Sequence, residues 1–220
     1  EAKQRLLDLA VRAKRADGAS KEEAEALVME AVTALEAMNP TPKPLKREDL
    51  LSGRYSLLCT LSPEATIRKQ RRAREGLVGT AVTELSGASD SVGSGGKTGG
   101  LVEQIGVYQD IDLVQNKVNN RALVSIAGVR VELDLLGVCS RPDTAGMAPE
   151  EAARVADSRL CIAFQEAKVT VGGLPPLVLP LSWTNGGKGP QGWIDTTYLD
   201  QDVRLGRGDK GSVFVTARRK

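Results

Sequence analysis

GWIDTTYLDQDVRLGRGDKGSVFVTARRK, residues 192–220, is the stretch on which the fold turns. Successive side chains of a strand point to opposite faces, so Leu199, Val203 and Leu205 fall on one side of an extended chain. Tyr198, Asp200, Asp202 and Arg204 fall on the other. That assignment places two acids and a base in line on one strand. Arg207-Gly208-Asp209-Lys210-Gly211 supplies turn chemistry, and Ser212-Val213-Phe214-Val215-Thr216 is branched and aromatic enough to be the return strand. The chain is therefore expected to close on a β-hairpin with a charged face.

The same texture extends upstream. Short alternating runs occupy residues 54–61, 77–85, 101–108, 121–126, 129–136 and 160–171. The cleanest has Val129, Val131, Leu133 and Leu135 alternating with Arg130, Glu132 and Asp134, as in a half-buried strand. Six or more such strands in one domain predict a closed or nearly closed antiparallel barrel, because closure removes unpaired edges. With aromatic residues only 3% of the chain, its cavity is expected to be walled mainly by aliphatic side chains.

Residues 1–38 read as a helical hairpin. Leu6, Leu9, Ala10 and Ala13 recur at helical spacing, then Asp17-Gly18 breaks the run. Ser20 with Glu23 forms a capping box, followed by an apolar stripe of Ala24, Leu27, Val28, Ala31, Leu35 and Met38 that must pack on an end or side of the β domain. Residues 39–52 form a Pro-rich linker. Its NPTPKP run stiffens toward polyproline II, which makes it a spacer and not a flexible tether. The barrel is assigned to residues 53–220.

Composition narrows the function. Hydrophobic residues at 41% and charged residues at 26% are ordinary for a globular domain, and a net charge of +2 sets no field suited to nucleic acid. Absence of histidine removes the commonest general base and metal ligand, so no catalytic or metal site is assigned. Cys59, Cys139 and Cys161 are odd in number, widely spaced and set in apolar runs, the pattern of reduced, buried thiols. No apolar run reaches the roughly 18 residues needed to span a bilayer. Gly96-Lys97-Thr98, in a Gly/Ser-rich stretch over residues 86–100, fails as a phosphate-binding loop. The motif's first glycine falls on Ser91, and a short strand follows where a long helix is required.

Tyr198-Leu199-Asp200-Gln201-Asp202-Val203-Arg204-Leu205, with Arg207-Gly208-Asp209 and Gly211, resembles the C-terminal signature of the plastid lipid-associated proteins, the fibrillins or plastoglobulins. The match runs from Asp195 to Val215. A second lies in Leu35-Glu36-Ala37-Met38-Asn39-Pro40-Thr41-Pro42 and Leu50-Leu51-Ser52-Gly53-Arg54-Tyr55-Ser56-Leu57-Leu58, similar to the family's Pro-rich link into a Gly-x-Trp strand, with Tyr55 in the place of Trp. A third is Val107-Tyr108-Gln109-Asp110-Ile111-Asp112 with Gln115-Asn116-Lys117-Val118-Asn119-Asn120.

The resemblance implies a mainly β protein, a lipocalin-like antiparallel β-barrel with a cavity and an N-terminal α-helical hairpin. It implies a non-enzymatic role without cofactors, binding or screening hydrophobic isoprenoid-type lipids of the prenylquinone or carotenoid kind. The location implied is the chloroplast, peripheral to the thylakoid or plastoglobule surface, with the transit peptide already removed from this chain. The alternative is a structural subunit or assembly factor of a photosynthetic thylakoid complex, with a barrel filled by its own side chains.

Two groups of residues are candidates for contact with such molecules. Tyr198, Asp200, Asp202 and Arg204 could present a polar head with partners inside a mostly apolar barrel. In the other reading, Arg204 and Arg207 pair with carboxylates and fix the hairpin. Arg68, Lys69, Arg71, Arg72 and Arg74 form a dense basic run suited to anionic lipid or to a protein partner, or to plain solvation. Trp183 and Trp193 bracket a Gly-rich loop and suit a membrane interface, a cavity lid or packing on a strand end.

Overall fold

The computed structural model describes residues 1–16, 18–61 and 102–219. Helix α1 spans Ala2–Arg15, α2 Gly18–Glu36, α3 Glu48–Leu51 and α4 Pro149–Ser158. The strands are β1 (Gly53–Leu61), β2 (Val102–Asp112), β3 (Lys117–Ile126), β4 (Val129–Ser140), β5 (Arg159–Val171), β6 (Leu177–Pro180), β7 (Gln191–Leu199), β8 (Val203–Gly208) and β9 (Val213–Arg218). The basic run, the strand read over 77–85 and the Gly/Ser-rich stretch lie outside the described residues.

Every strand pair is antiparallel, and the hydrogen-bonded order β4-β3-β2-β1-β9-β8-β7-β5 is closed by β4 pairing with β5. The result is an eight-stranded barrel in which sequence neighbours are mostly spatial neighbours, the up-and-down arrangement. Strand β5 is long enough to serve two partners. Arg159–Ala163 registers with β7, whereas Glu166–Val169 registers with the short β6. The ends of β1, β3, β5 and β8 and the starts of β2, β4, β7 and β9 share one end of the barrel, here the upper end.

Two apolar masses hold this arrangement. Inside the barrel, Tyr55, Ile111, Val118, Leu135, Phe164 and Leu199 form one continuous core. It includes Leu45 and Leu51 from the segment before β1, which close the lower end. The segment read as a Pro-rich spacer thus contributes side chains to the barrel core. Tyr55 Oη donates to the Leu51 carbonyl at 3.0 Å, and Arg141 Nη2 donates to Leu45 O at 2.7 Å. Arg218 donates to the carbonyls of Ser52 and Leu50.

The second mass lies outside the wall. Leu6, Ala10 and Ala13 of α1 and Val28, Val32 and Leu35 of α2 recur one helical turn apart. They pack on Val203, Leu205, Val213 and Val215 of β8 and β9. Removal of each fully buried valine or leucine from water contributes about 1.5–3 kcal/mol. The predicted stripe on α2 needs correction at its margins: Met38 and Leu27 are exposed, and Val32 takes their place. Helix α2 also begins at Gly18, so Ser20 and Glu23 both lie within it, and the capping box read at Ser20 is not its start.

No helix among the described residues is long and apolar enough to cross a membrane.

Candidate functional site: a barrel cavity with a buried arginine

The charged face read from residues 198–205 does not exist as a face. The chain reverses at Asp200-Gln201-Asp202, making two hairpins where one was expected, because the Asp200 side chain captures its own turn. Asp200 Oδ1 accepts the backbone N–H of Asp202 at 2.8 Å and of Val203 at 2.7 Å, and Asp200 N–H donates to Val203 O at 3.0 Å. Alternation restarts beyond the turn. Leu199 points into the barrel while Val203 and Leu205 point out beneath the helices.

The polar set is divided by the same turn. Tyr198 Oη donates to Asp200 Oδ2 at 2.8 Å on the outer side, and Lys3 Nζ of α1 bridges Asp200 at 3.0 Å and Asp202 at 2.7 Å. Arg204 faces inward. Of the two arginines read as pairing with carboxylates, Arg204 has no such partner among the described residues, whereas Arg207 is paired from outside with Glu36 at the end of α2, at 2.7 and 2.9 Å. Burial of Tyr198, helped by Asp200, pushes its phenol up to about 12. These contacts pin α1 and α2 to the barrel.

Arg204 is 2% exposed. It sits over the Tyr55 ring at 4.8 Å and donates through Nη2 to Gln109 Oε1, whose own Nε2 donates to Asn120 Oδ1 at 2.8 Å. Its Nε and Nη1 have no hydrogen-bond partner among the described residues. Burial pushes its pKa down to about 10, so the guanidinium is charged at neutral pH in a poorly solvated site. Gln109 and Asn120 were separable in the sequence by one signal: each is a polar residue at an inward position of an apolar alternation, between Val107 and Ile111 and between Val118 and Ala122, whereas the same-face neighbours of Arg204 are Gly206 and Gly208 and give no such signal.

These groups face a cavity of about 120 Å³. Its apolar walls are Leu57, Val107, Ile162, Phe164, Ile194 and Phe214, and it extends toward the upper end past Gln191, Asp209 and Ser212. Leu57, Val107, Ile162 and Ile194 are the expected aliphatic part of the wall, but both phenylalanines of the chain lie in it too, more ring than its 3% aromatic content suggests.

The two tryptophans separate. Trp193 lies under the Arg159 guanidinium at 3.6 Å, and Arg159 in turn grips Asp195 at 2.7 and 2.9 Å. Trp183 is 72% exposed on the loop between β6 and β7. Around the upper end, the turn after β5 meets the start of β4 through the Gly172 N–H to Arg130 O bond at 2.7 Å. Ile126, Val129, Leu174, Leu177 and Val178 are all exposed there. Cys59, Cys139 and Cys161 are free thiols, and burial pushes Cys59 up to about 12.

A closed antiparallel barrel with an apolar-walled cavity and a few inward polar groups belongs to the class of small up-and-down β-barrels with an interior cavity. The sequence model of the PAP_fibrillin family matches residues 1–136 and 150–217, and the chain belongs to that family. It is 26% identical over 204 residues to the probable plastid-lipid-associated protein 3, chloroplastic, of Oryza sativa subsp. japonica, covering 87% of this chain and 51% of the relative. It is 28% identical over 206 residues to the chromoplast-specific carotenoid-associated protein C1 of an Oncidium hybrid cultivar, covering 88% and 61%. Against plastoglobulin-1, chloroplastic, of Pisum sativum it is 26% identical over 221 residues, covering 90% and 56%. The chain thus spans between half and three-fifths of the length of these relatives. No solved structure matches it.

Proposed function

We propose that this chain is a plastid lipid-associated protein that meets a lipid surface with the upper end of its barrel and holds the head of one amphiphile in its cavity. The carrying observation is an apolar-walled cavity that extends toward the end at which Leu174, Leu177 and Val178 are exposed, with the exposed Trp183 on the loop that leads into β7. Exposed apolar side chains gathered at one end of a domain are costly in water and mark interaction surfaces, and an indole suits a membrane interface. The relatives' names, plastid-lipid-associated, plastoglobulin and carotenoid-associated, support a lipid surface in a plastid as the counterpart.

A cavity of about 120 Å³ is well under the roughly 300–1,000 Å³ of pockets that enclose whole drug-sized ligands. Long isoprenoids such as carotenoids or prenylquinones are therefore screened at the lipid surface, thylakoid or plastoglobule, instead of being swallowed whole. The test is to purify the protein from its native membrane and identify by mass spectrometry what accompanies it. A stoichiometric lipid supports this reading. A stoichiometric photosynthetic protein with no lipid supports the rival role of a structural subunit or assembly factor.

A further inference from the structure

We infer that Arg204 is the receptor for an anionic head group, so that the cavity takes a single-chain amphiphile ending in a carboxylate. The inference rests on the lipid-binding reading above and names the ligand class of the same site. A guanidinium has five N–H donors and suits the two oxygens of a carboxylate. Arg204 uses Nη2 toward Gln109 and leaves Nε and Nη1 without acceptors, although it is 2% exposed. Buried polar groups of folded proteins are as a rule hydrogen-bonded, so an unsatisfied charged donor marks a place for an acceptor.

No acid among the described residues supplies that acceptor, because the acids of neighbouring strands are engaged elsewhere. Asp200 and Asp202 are held by Lys3, Asp195 by Arg159, Asp110 by Arg54 and Asp134 by Arg121. Asp209, at the upper rim of the same cavity, is exposed and makes no ion pair with Arg204. The buried positive charge thus has hydrogen-bond and ring partners but no counter-ion among the described residues.

The shape of the cavity agrees with a slim ligand. A cavity of about 120 Å³ has room for a carboxylate and the first methylenes of its chain. Beyond Arg204 the walls are Leu57, Val107, Phe164 and Phe214, which suit an alkyl chain running toward the upper end.

The experiment uses the full chain and palmitic acid, its methyl ester and a decyl-substituted quinone as competitors for a fluorescent fatty acid. Palmitic acid is expected to bind at least about tenfold tighter than the ester or the quinone. Arg204→Gln removes that preference, while Arg204→Lys, which keeps the charge, retains part of it. Equal binding of acid and ester by the unaltered chain, or an acid preference that survives in Arg204→Gln, overturns the anionic-head inference and leaves lipid binding standing. Uptake of none of the probes overturns both. The acid-to-ester comparison needs no variant, so it stands whatever the folding of the substituted chains.

Discussion

Glu36, the last residue of α2, grips Arg207 of β8 through two hydrogen bonds, Nε to Oε1 at 2.9 Å and Nη2 to Oε2 at 2.7 Å. Glu36 Oε1 also accepts the hydroxyl of Thr197 in β7 at 2.6 Å. One carboxylate therefore ties the helical pair to two adjacent strands. Arg207 remains partly exposed, so solvent screens part of the gain. Glu36→Ala is expected to cost about 1–2 kcal/mol, a fall of about 2–8 °C in melting temperature. A double-mutant cycle with Arg207→Ala should recover at least half of that loss as coupling, and additive losses would refute the clamp.

Asp200 and Asp202 are predicted to behave very differently although both bind Lys3. Asp200 also accepts two backbone N–H groups and the Tyr198 hydroxyl, whereas the Asp202 side chain is 53% exposed. Asp200→Ala should cost about 2 kcal/mol and Asp202→Ala under about 0.5 kcal/mol by chemical denaturation. Asp200→Asn keeps an acceptor for the turn and falls between them.

The acid limb of stability follows from the same carboxylate. Burial pushes the Asp200 pKa up, but the N–H groups of Asp202 and Val203, then Lys3 and Tyr198, outweigh it and hold the pKa below its ordinary 3.8. The folded-state value lies below the unfolded one. Its contribution is therefore complete above pH 3.8 and is lost as pH falls through the folded value. Denaturation curves of Asp200→Asn should accordingly lose less stability than the parent chain between pH 4 and roughly pH 2. Parallel acid limbs would show that the turn carries no such linkage.

Arg204→Met is expected to stabilise the ligand-free protein. Removing a buried charge without a counter-ion relieves its desolvation, and the loss of the Gln109 contact offsets part of the gain. The net is about 1 kcal/mol, or about 2–4 °C. The native pKa of about 10 lies below the ordinary 12.5, so the cost is present at every pH below 10 and is relieved only as pH rises above it. The difference between parent and variant should then be flat from pH 6 to 9. A large fall in melting temperature would mean that Arg204 is a structural keystone.

The combined change Leu174→Ser, Leu177→Ser and Trp183→Ser should abolish flotation with lipid droplets while moving the melting temperature by less than about 2 °C, because all three side chains are mostly exposed. Undiminished flotation would assign lipid contact to another part of the chain.

The antiparallel barrel and the helical pair were legible because both depend on apolar periodicity. Val129, Val131, Leu133 and Leu135 alternate whatever they pack against, and Leu6, Ala10 and Ala13 keep one face of a helix. The site was not legible in the same way. A strand-period count carried from Tyr198 to Leu205 runs through Asp200, whose side chain bonds to the N–H groups of Asp202 and Val203 and ends the strand. Once the turn is recognised, Arg204 moves to the interior and its former partners to the outside. The ion pair of Arg207 with Glu36 joins residues 171 positions apart, a relationship no local spacing encodes.

Pairing of β1 with β9 has a kinetic consequence. The seam of the ring joins Tyr55 to Arg218, 163 positions apart, and runs on to Leu61 opposite Val213. Until the last strand arrives, β1 and β8 are both raw edges with unpaired N–H and C=O groups, open to pairing with any other chain. Loop-closure entropy must be met before that seam forms, which places folding in the slow, milliseconds-to-seconds class of non-local β topologies. Deleting β9 is therefore expected to yield an aggregating chain, not a smaller barrel. The final six-residue strand is the latch that converts a sticky open sheet into a closed eight-stranded ring.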